Sequence, residues 1–193
     1  MAFILAGGQS QRMGKDKGRL RLGSATLTGH VQNAGRAAGF VVRVIRQDLQ
    51  PGQGPLGGVI TAWKRSKADV LLFLSCDMPY VEPALLQRLT RQLKPADEAV
   101  FTAHGERVGF PFLLRRDSLT VVESQIATGQ RSLQALAHAL NARRWVPPQA
   151  WQRQLANLNT PEAFAVARAE WLRRKKRRVS VKRRLSSPAS AVS

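Results

Sequence analysis

Two groups of residues in this chain have the types and spacing for phosphate chemistry. The first is Gly7-Gly8 with Arg12, Gly14, Lys15 and Lys17, directly after the apolar run Ala2 to Ala6. Two glycines at the end of a strand let backbone N–H groups approach an anion closely, because no Cβ intervenes. The cations beside them add positive charge on flexible stems. The arrangement suits a nucleoside triphosphate. The second is Asp77, at the end of VLLFLS (Val70 to Ser75), the clearest buried strand in the chain. Open α/β sheets bind ligands beyond the carboxyl ends of their strands. A carboxylate there is placed to hold Mg²⁺, a hard cation that takes carboxylate, water and phosphate oxygens. An aspartate before Met78-Pro79 also caps a turn, and the two roles are compatible. Cys76 has no histidine beside it in sequence and reads as a small buried residue rather than a nucleophile.

A third stretch is Gln53-Gly54-Pro55-Leu56-Gly57-Gly58. A proline-started helix offers free N–H groups and a partial positive charge at its N-terminus. Gly57 and Gly58 each cost the helix roughly 1 kcal/mol against alanine, which points to close approach of a ligand or strand. In Asn157-Leu158-Asn159-Thr160-Pro161-Glu162, alternation puts both asparagines on one side of an extended segment, where two amides can donate side by side. The three histidines, His30, His104 and His138, do not cluster at metal-ligand spacing.

Neither common phosphate loop fits the N-terminal stretch. GxxxxGK[ST] fails because Gly18 follows Lys17, and GxGxxG fails on the spacing of Gly7-Gly8 and Gly14. LAGGQSQRMGKDKG instead resembles LAGGxSxRMGxxK, the signature loop of the sugar- and cofactor-nucleotidyltransferases. Within that superfamily it is most similar to the molybdenum cofactor guanylyltransferases. CDMP at 76–79, GPLGG at 54–58 and NLNTPE at 157–162 resemble further motifs of that family in the same order. The resemblance spans Phe3 to about Arg168.

The resemblance implies a set of roles. Leu5, Ala6, Gly7, Gly8, Lys17, Asp48, Gly54, Gly58 and Asp77 hold the nucleotide. Lys17, Arg12 and Asp77 are catalytic, with Asp77 on Mg²⁺. Arg131, Asn157 and Asn159 face the acceptor. The implied reaction moves GMP from GTP to molybdenum–molybdopterin with release of pyrophosphate. The dinucleotide cofactor then passes to molybdoenzyme apoproteins or their chaperones. One departure stands out. Family members carry a nucleoside-reading asparagine, a helix and a further strand before the aspartate matched to Asp48. Here Phe40 to Ile45 leads almost directly to Asp48. The resemblance therefore leaves base preference open, and a cytidylyltransferase or another phosphorylated acceptor stays as an alternative. A non-catalytic polyanion binder is a third reading.

The elements that must position these residues alternate between helix-like and strand-like. Helices are expected at Thr26 to Ala38, Pro55 to about Lys67, Pro83 to Leu93, Ser118 to Ala127, Ser132 to Ala142 and Pro161 to about Arg178. Strands are expected at Ala2 to Ala6, Phe40 to Ile45, Val70 to Ser75, Ala99 to Ala103, Phe110 to Leu114 and Arg144 to Val146. This pattern predicts an α/β fold: a single Rossmann-like three-layer domain with a mainly parallel sheet.

The chain has 193 residues, 44% of them hydrophobic, enough for one sizeable core. No apolar run is long enough to span a bilayer, and the N-terminus lacks the layout of a signal peptide. A lone cysteine gives no internal disulfide and fits the cytoplasm. The net charge is +19 and unevenly spread: Arg168 to Ser193 holds ten Lys/Arg against one acid. The preceding body still carries about +10, which suits anionic ligands. We divide the chain into a domain at 1–178 and a basic, Ser-rich tail at 179–193, whose composition reads as disordered and attractive to polyanions.

Overall fold

The computed structural model describes residues 1–7 and 17–185, with the backbone alone for Lys17 and for 174–185. Its elements follow in the order β1 (Ala2–Leu5), β2 (Arg21–Leu22), β3 (Ala25–Thr26), α1 (Leu27–Ala37), β4 (Val42–Ile45), α2 (Pro55–Lys64), β5 (Val70–Ser75), α3 (Pro83–Thr90), β6 (Ala99–His104), β7 (Arg107–Arg115), α4 (Leu119–Ala127), α5 (Leu133–Ala139), β8 (Arg143–Trp145) and α6 (Pro161–Leu185). Short 3₁₀ turns lie at Lys17–Arg19, Arg116–Ser118 and Gln149–Leu155.

Six strands form the main sheet in the order β4-β1-β5-β7-β6-β8. β1 pairs in parallel with β4 and β5, and β6 with β8, while β7 runs antiparallel to both neighbours. Five strands thus point one way and β7 alone opposes them, which is the mainly parallel sheet expected. Leu5 is level with Ile45 on one side and Ser75 on the other, so three strands end together.

Strand alternation sorts the core into two faces. Phe3, Leu5, Leu71, Phe73, Phe101 and Phe112 pack with residues of α2, α4 and α5. Ala2, Ile4, Leu72, Leu74, Val100 and Leu113 pack with residues of α1 and α3. The result is the three-layer arrangement. Phe73, Phe112 and Phe101 stack at centroid distances of 5.0 and 4.6 Å. All three are fully buried, and truncating one to alanine costs about 3–5 kcal/mol. A third apolar cluster of Leu22, Leu27, Leu158 and Ala167, with Tyr80, Phe164 and Trp171 against it, seats α6 on the β2–β3 hairpin.

Helix starts follow local chemistry. Thr26 caps α1 by accepting from the Gly29 N–H at 3.0 Å, and Ser132 does the same for Ala135 in α5. Pro55 and Pro83 open α2 and α3.

The structure departs from the sequence expectation in several places. The β2–β3 hairpin and the Gln149–Leu155 turn were not anticipated. α2, α3 and α5 stop about three residues early, at Lys64, Thr90 and Ala139. α6 runs on to Leu185 instead of ending near Arg178, because lysine and arginine are good helix formers. Residues 179–185 of the expected disordered tail are therefore helical, and 186–193 lie outside the described residues.

Candidate active site

The loops leaving β4, β1 and β5 carry the candidate residues. The Ala6 N–H donates to Ile45 O at 2.7 Å, and the Cys76 N–H donates to Leu5 O at 3.3 Å. The ladder thus continues to the threshold of Gly7. The tips of β4 and β5 flank β1, roughly 10 Å apart at ordinary strand spacing. Asp48 follows one tip, Asp77 follows the other, and Gly7 lies between.

Asp48 is held by two glycines. A Cβ on Gly7 would stand 3.3 Å from Asp48 Oδ1 and 3.0 Å from Arg46 O. A Cβ on Gly57 would stand 3.3 Å from Asp48 Oδ2 and 2.7 Å from Gln50 O. Only glycine lets the loop after β4 press this closely on both the β1 loop and α2. The Leu49 N–H donates to Thr61 Oγ1 at 2.9 Å, and that hydroxyl donates to Gly57 O at 2.8 Å. This buried threonine pins the Asp48 loop to α2. Partial burial pushes the Asp48 carboxyl above its ordinary pKa.

Gly58 has a different cause. Its Cβ would meet Leu5 Cδ1 and Cδ2 at 2.9 Å, so α2 packs directly on β1, and a strand supplies the close approach. Gly54 has φ 56° and ψ −147°, a conformation open to glycine. It lies against Arg131, with a Cβ at Gly54 falling 3.2 Å from Arg131 O. Arg131 therefore stands at the N-terminus of α2.

Asp77 is oriented by its own strand. Ser75 Oγ donates to Asp77 Oδ1 at 2.6 Å, while Asp77 O accepts from the Leu158 N–H at 2.9 Å. Leu158 is buried, and Asn157 and Asn159 on either side are exposed. The alternation expected for this segment is present, and the backbone that carries the two amides is tied to Asp77. Cys76 packs on the α1 and α3 side of the core. Among the described residues no group of three His, Cys, Asp or Glu could cage a metal ion. A single carboxylate at a strand tip still fits Mg²⁺, which commonly keeps its waters and takes phosphate oxygens. Gly8 and Arg12 lie outside the described residues. Lys17 opens the 3₁₀ turn Lys17–Arg19, and its side chain also lies outside them.

The MobA-like NTP transferase domain model matches residues 2–145. The chain belongs to the MobA-like NTP transferase family. It is similar to a probable molybdenum cofactor guanylyltransferase of Chloroflexus aggregans, with 31% identity over 86% of this chain and 92% of that one. It is also similar to a molybdenum cofactor guanylyltransferase of Pseudomonas entomophila, with 33% identity over 83% of this chain and 93% of the relative. The fold matches the molybdopterin-guanine dinucleotide biosynthesis protein A of Archaeoglobus fulgidus, with a TM-score of 0.70 and 19% identity over 87% of this chain and 96% of that chain.

The MobA-like fold of this chain brings most of the expected residues to one end of the sheet. Leu5, Ala6, Gly7 and Asp48 meet α2 on one side. Asp77, Asn157 and Asn159 meet on the other, and Arg131 joins at Gly54. Thr61 was not singled out beforehand. Its signal was a hydroxyl within the otherwise apolar helix face Leu56 to Trp63, all of it buried.

Proposed function

We propose that this chain transfers the guanylyl group of GTP to molybdenum–molybdopterin and releases pyrophosphate. The observation that carries the reading is the Leu158–Asp77 hydrogen bond. It joins the carboxylate loop of the nucleotide side to the asparagine pair of the acceptor side. Identity to two guanylyltransferases over most of the chain supports the choice of donor and acceptor.

In this reading Gly7, Gly8 and the Asp48 loop hold the nucleotide, with Gly54 and Gly58 shaping the start of α2. Asp77 would hold Mg²⁺, which would supply charge neutralisation to the bound triphosphate. Lys17 and Arg12 stabilise charge on the α-phosphate and the leaving pyrophosphate. Asn157, Asn159 and Arg131 orient the acceptor, whose phosphate attacks the α-phosphorus in line. The phosphate is already anionic at neutral pH, so the step needs no general base. Positioning and charge supply most of the catalysis. The reaction belongs in the cytoplasm, and molybdoenzyme apoproteins or their chaperones receive the product. The basic C-terminal extension contacts polyanions as an accessory.

The test is incubation with Mg²⁺, molybdenum–molybdopterin and each labelled NTP in turn, reading pyrophosphate. GTP gives release. Silence with every NTP overturns the transferase reading, and release with CTP alone reassigns the donor.

A further inference from the structure

We propose that the cavity beside the Asp77 loop binds the pterin of the acceptor through the donor edge of its pyrimidine ring. This deepens the reading above and rests on it. The cavity measures about 500 Å³ and begins at Pro79, two residues after Asp77 and so within about 7 Å of it along the chain. Its walls include Tyr80, Trp151 and Trp171, three aromatic side chains from three separate segments. Such walls fit a flat heterocycle.

The charge at this cavity is unusual for so basic a chain. Arg153 stands over the Tyr80 ring at 5.2 Å and is paired with Glu170, so its charge is already balanced. Glu82 is also in the wall. No Lys or Arg among the described residues pairs with it. It sits at the N-cap of α3 yet makes no side-chain cap. Instead Gln154 holds it twice: Gln154 Nε2 donates to Glu82 Oε2 at 3.2 Å, and the Glu82 N–H donates to Gln154 Oε1 at 3.0 Å. Gln154 is itself buried. A carboxylate oriented in this way repels phosphate and accepts from a pair of N–H groups.

The 2-amino-4-oxo pyrimidine edge offers such a pair, and both pterin and guanine carry it. Position decides between them. The Asp48 loop and α2 lie against the face of the sheet lined by Phe3 and Phe73. Trp151 packs on the opposite face with Leu72 and Val81. The cavity therefore lies beside the acceptor segment, away from α2, and takes the pterin.

Quenching of tryptophan fluorescence tests this without turnover. Free pterin-6-carboxylate should quench the wild-type protein saturably. Glu82→Gln should weaken that binding at least tenfold, and Trp151→Leu should weaken it comparably, each keeping the wild-type circular dichroism spectrum. In the transfer assay Glu82→Gln should raise the KM for molybdenum–molybdopterin more than the KM for GTP. No saturable quench, or equal quench in all three proteins, overturns the proposal. Displacement of the pterin by GMP overturns it in favour of a guanine pocket. Pterin binding that Glu82→Gln weakens, in a protein with no transferase activity, upholds the pocket while the transferase reading fails.

Discussion

The backbone N–H of Leu158 reaches the carbonyl of Asp77 across 2.9 Å, joining residues 81 positions apart in the sequence. The segment that presents Asn157 and Asn159 is thereby tied to the strand tip that presents the candidate metal carboxylate. Movement at one is felt at the other.

Replacing the Asp77 carboxylate should therefore abolish transfer without unfolding the chain. We expect Asp77→Asn to lower kcat by at least about 100-fold, with the melting temperature little changed. Steady-state kinetics over a Mg²⁺ titration, together with a melting curve, make the check. Near-normal turnover would remove Asp77 from the mechanism.

The glycine at 57 is a second lever. Gly57→Ala puts a methyl 2.7 Å from Gln50 O, a backbone atom that cannot rotate away. The Asp48 loop must shift, at a cost of about 1–3 kcal/mol, and the KM for the nucleotide should rise. Denaturant melts and nucleotide titrations measure both effects. Wild-type affinity in a destabilised variant would separate the Asp48 loop from binding.

Asp48 gives a pH dependence of defined sign. Its carboxyl is raised above the ordinary 3.8 by desolvation. The native state thus holds its proton to higher pH than the unfolded chain does, and stability falls as pH rises through that window. Asp48→Asn should raise the melting temperature of the ligand-free protein at pH 7.5. The gap should close as pH falls toward 3.8. A gap of constant size at every pH would assign the effect to packing.

Gly23 turns the hairpin with φ 67°, and a Cβ there would overlap the Trp171 indole. Gly23→Ala should cost about 1–3 kcal/mol and loosen α6. Tryptophan fluorescence during thermal melting reports the change, and an unaltered emission and melting temperature would contradict it.

Deleting 174–193 leaves the Leu158, Ala167 and Trp171 contacts of α6 in place. The shortened chain should keep its transfer rate and elute from heparin at lower salt than the full chain. Loss of transfer instead would make the extension part of the enzyme's working machinery.

Much of this was legible in the sequence because it was local. The buried strand before Asp77, the prolines opening α2 and α3, and the alternation around Leu158 are short-range patterns with direct physical causes. The β2–β3 hairpin escaped because its strands, Arg21–Leu22 and Ala25–Thr26, are two residues each and too short for periodicity. Gly58 could be read as a close approach, but not as one to Leu5 in particular. The Glu82–Gln154 pair was invisible because its members lie 72 residues apart. Nothing in either neighbourhood marks the other.

The reversed direction of β7 has an effect on the rim of the sheet. A parallel neighbour would have put a crossover helix over that edge. The antiparallel one puts only the tight bend at Gly105-Glu106 there, several residues beyond the outgoing ends of β5 and β8. A Cβ on Gly105 meets nothing within 4 Å. Extra residues spliced into that bend would build a parapet above this end of the sheet without disturbing a single core side chain. This is where the chain can be re-tailored for a bulkier substrate.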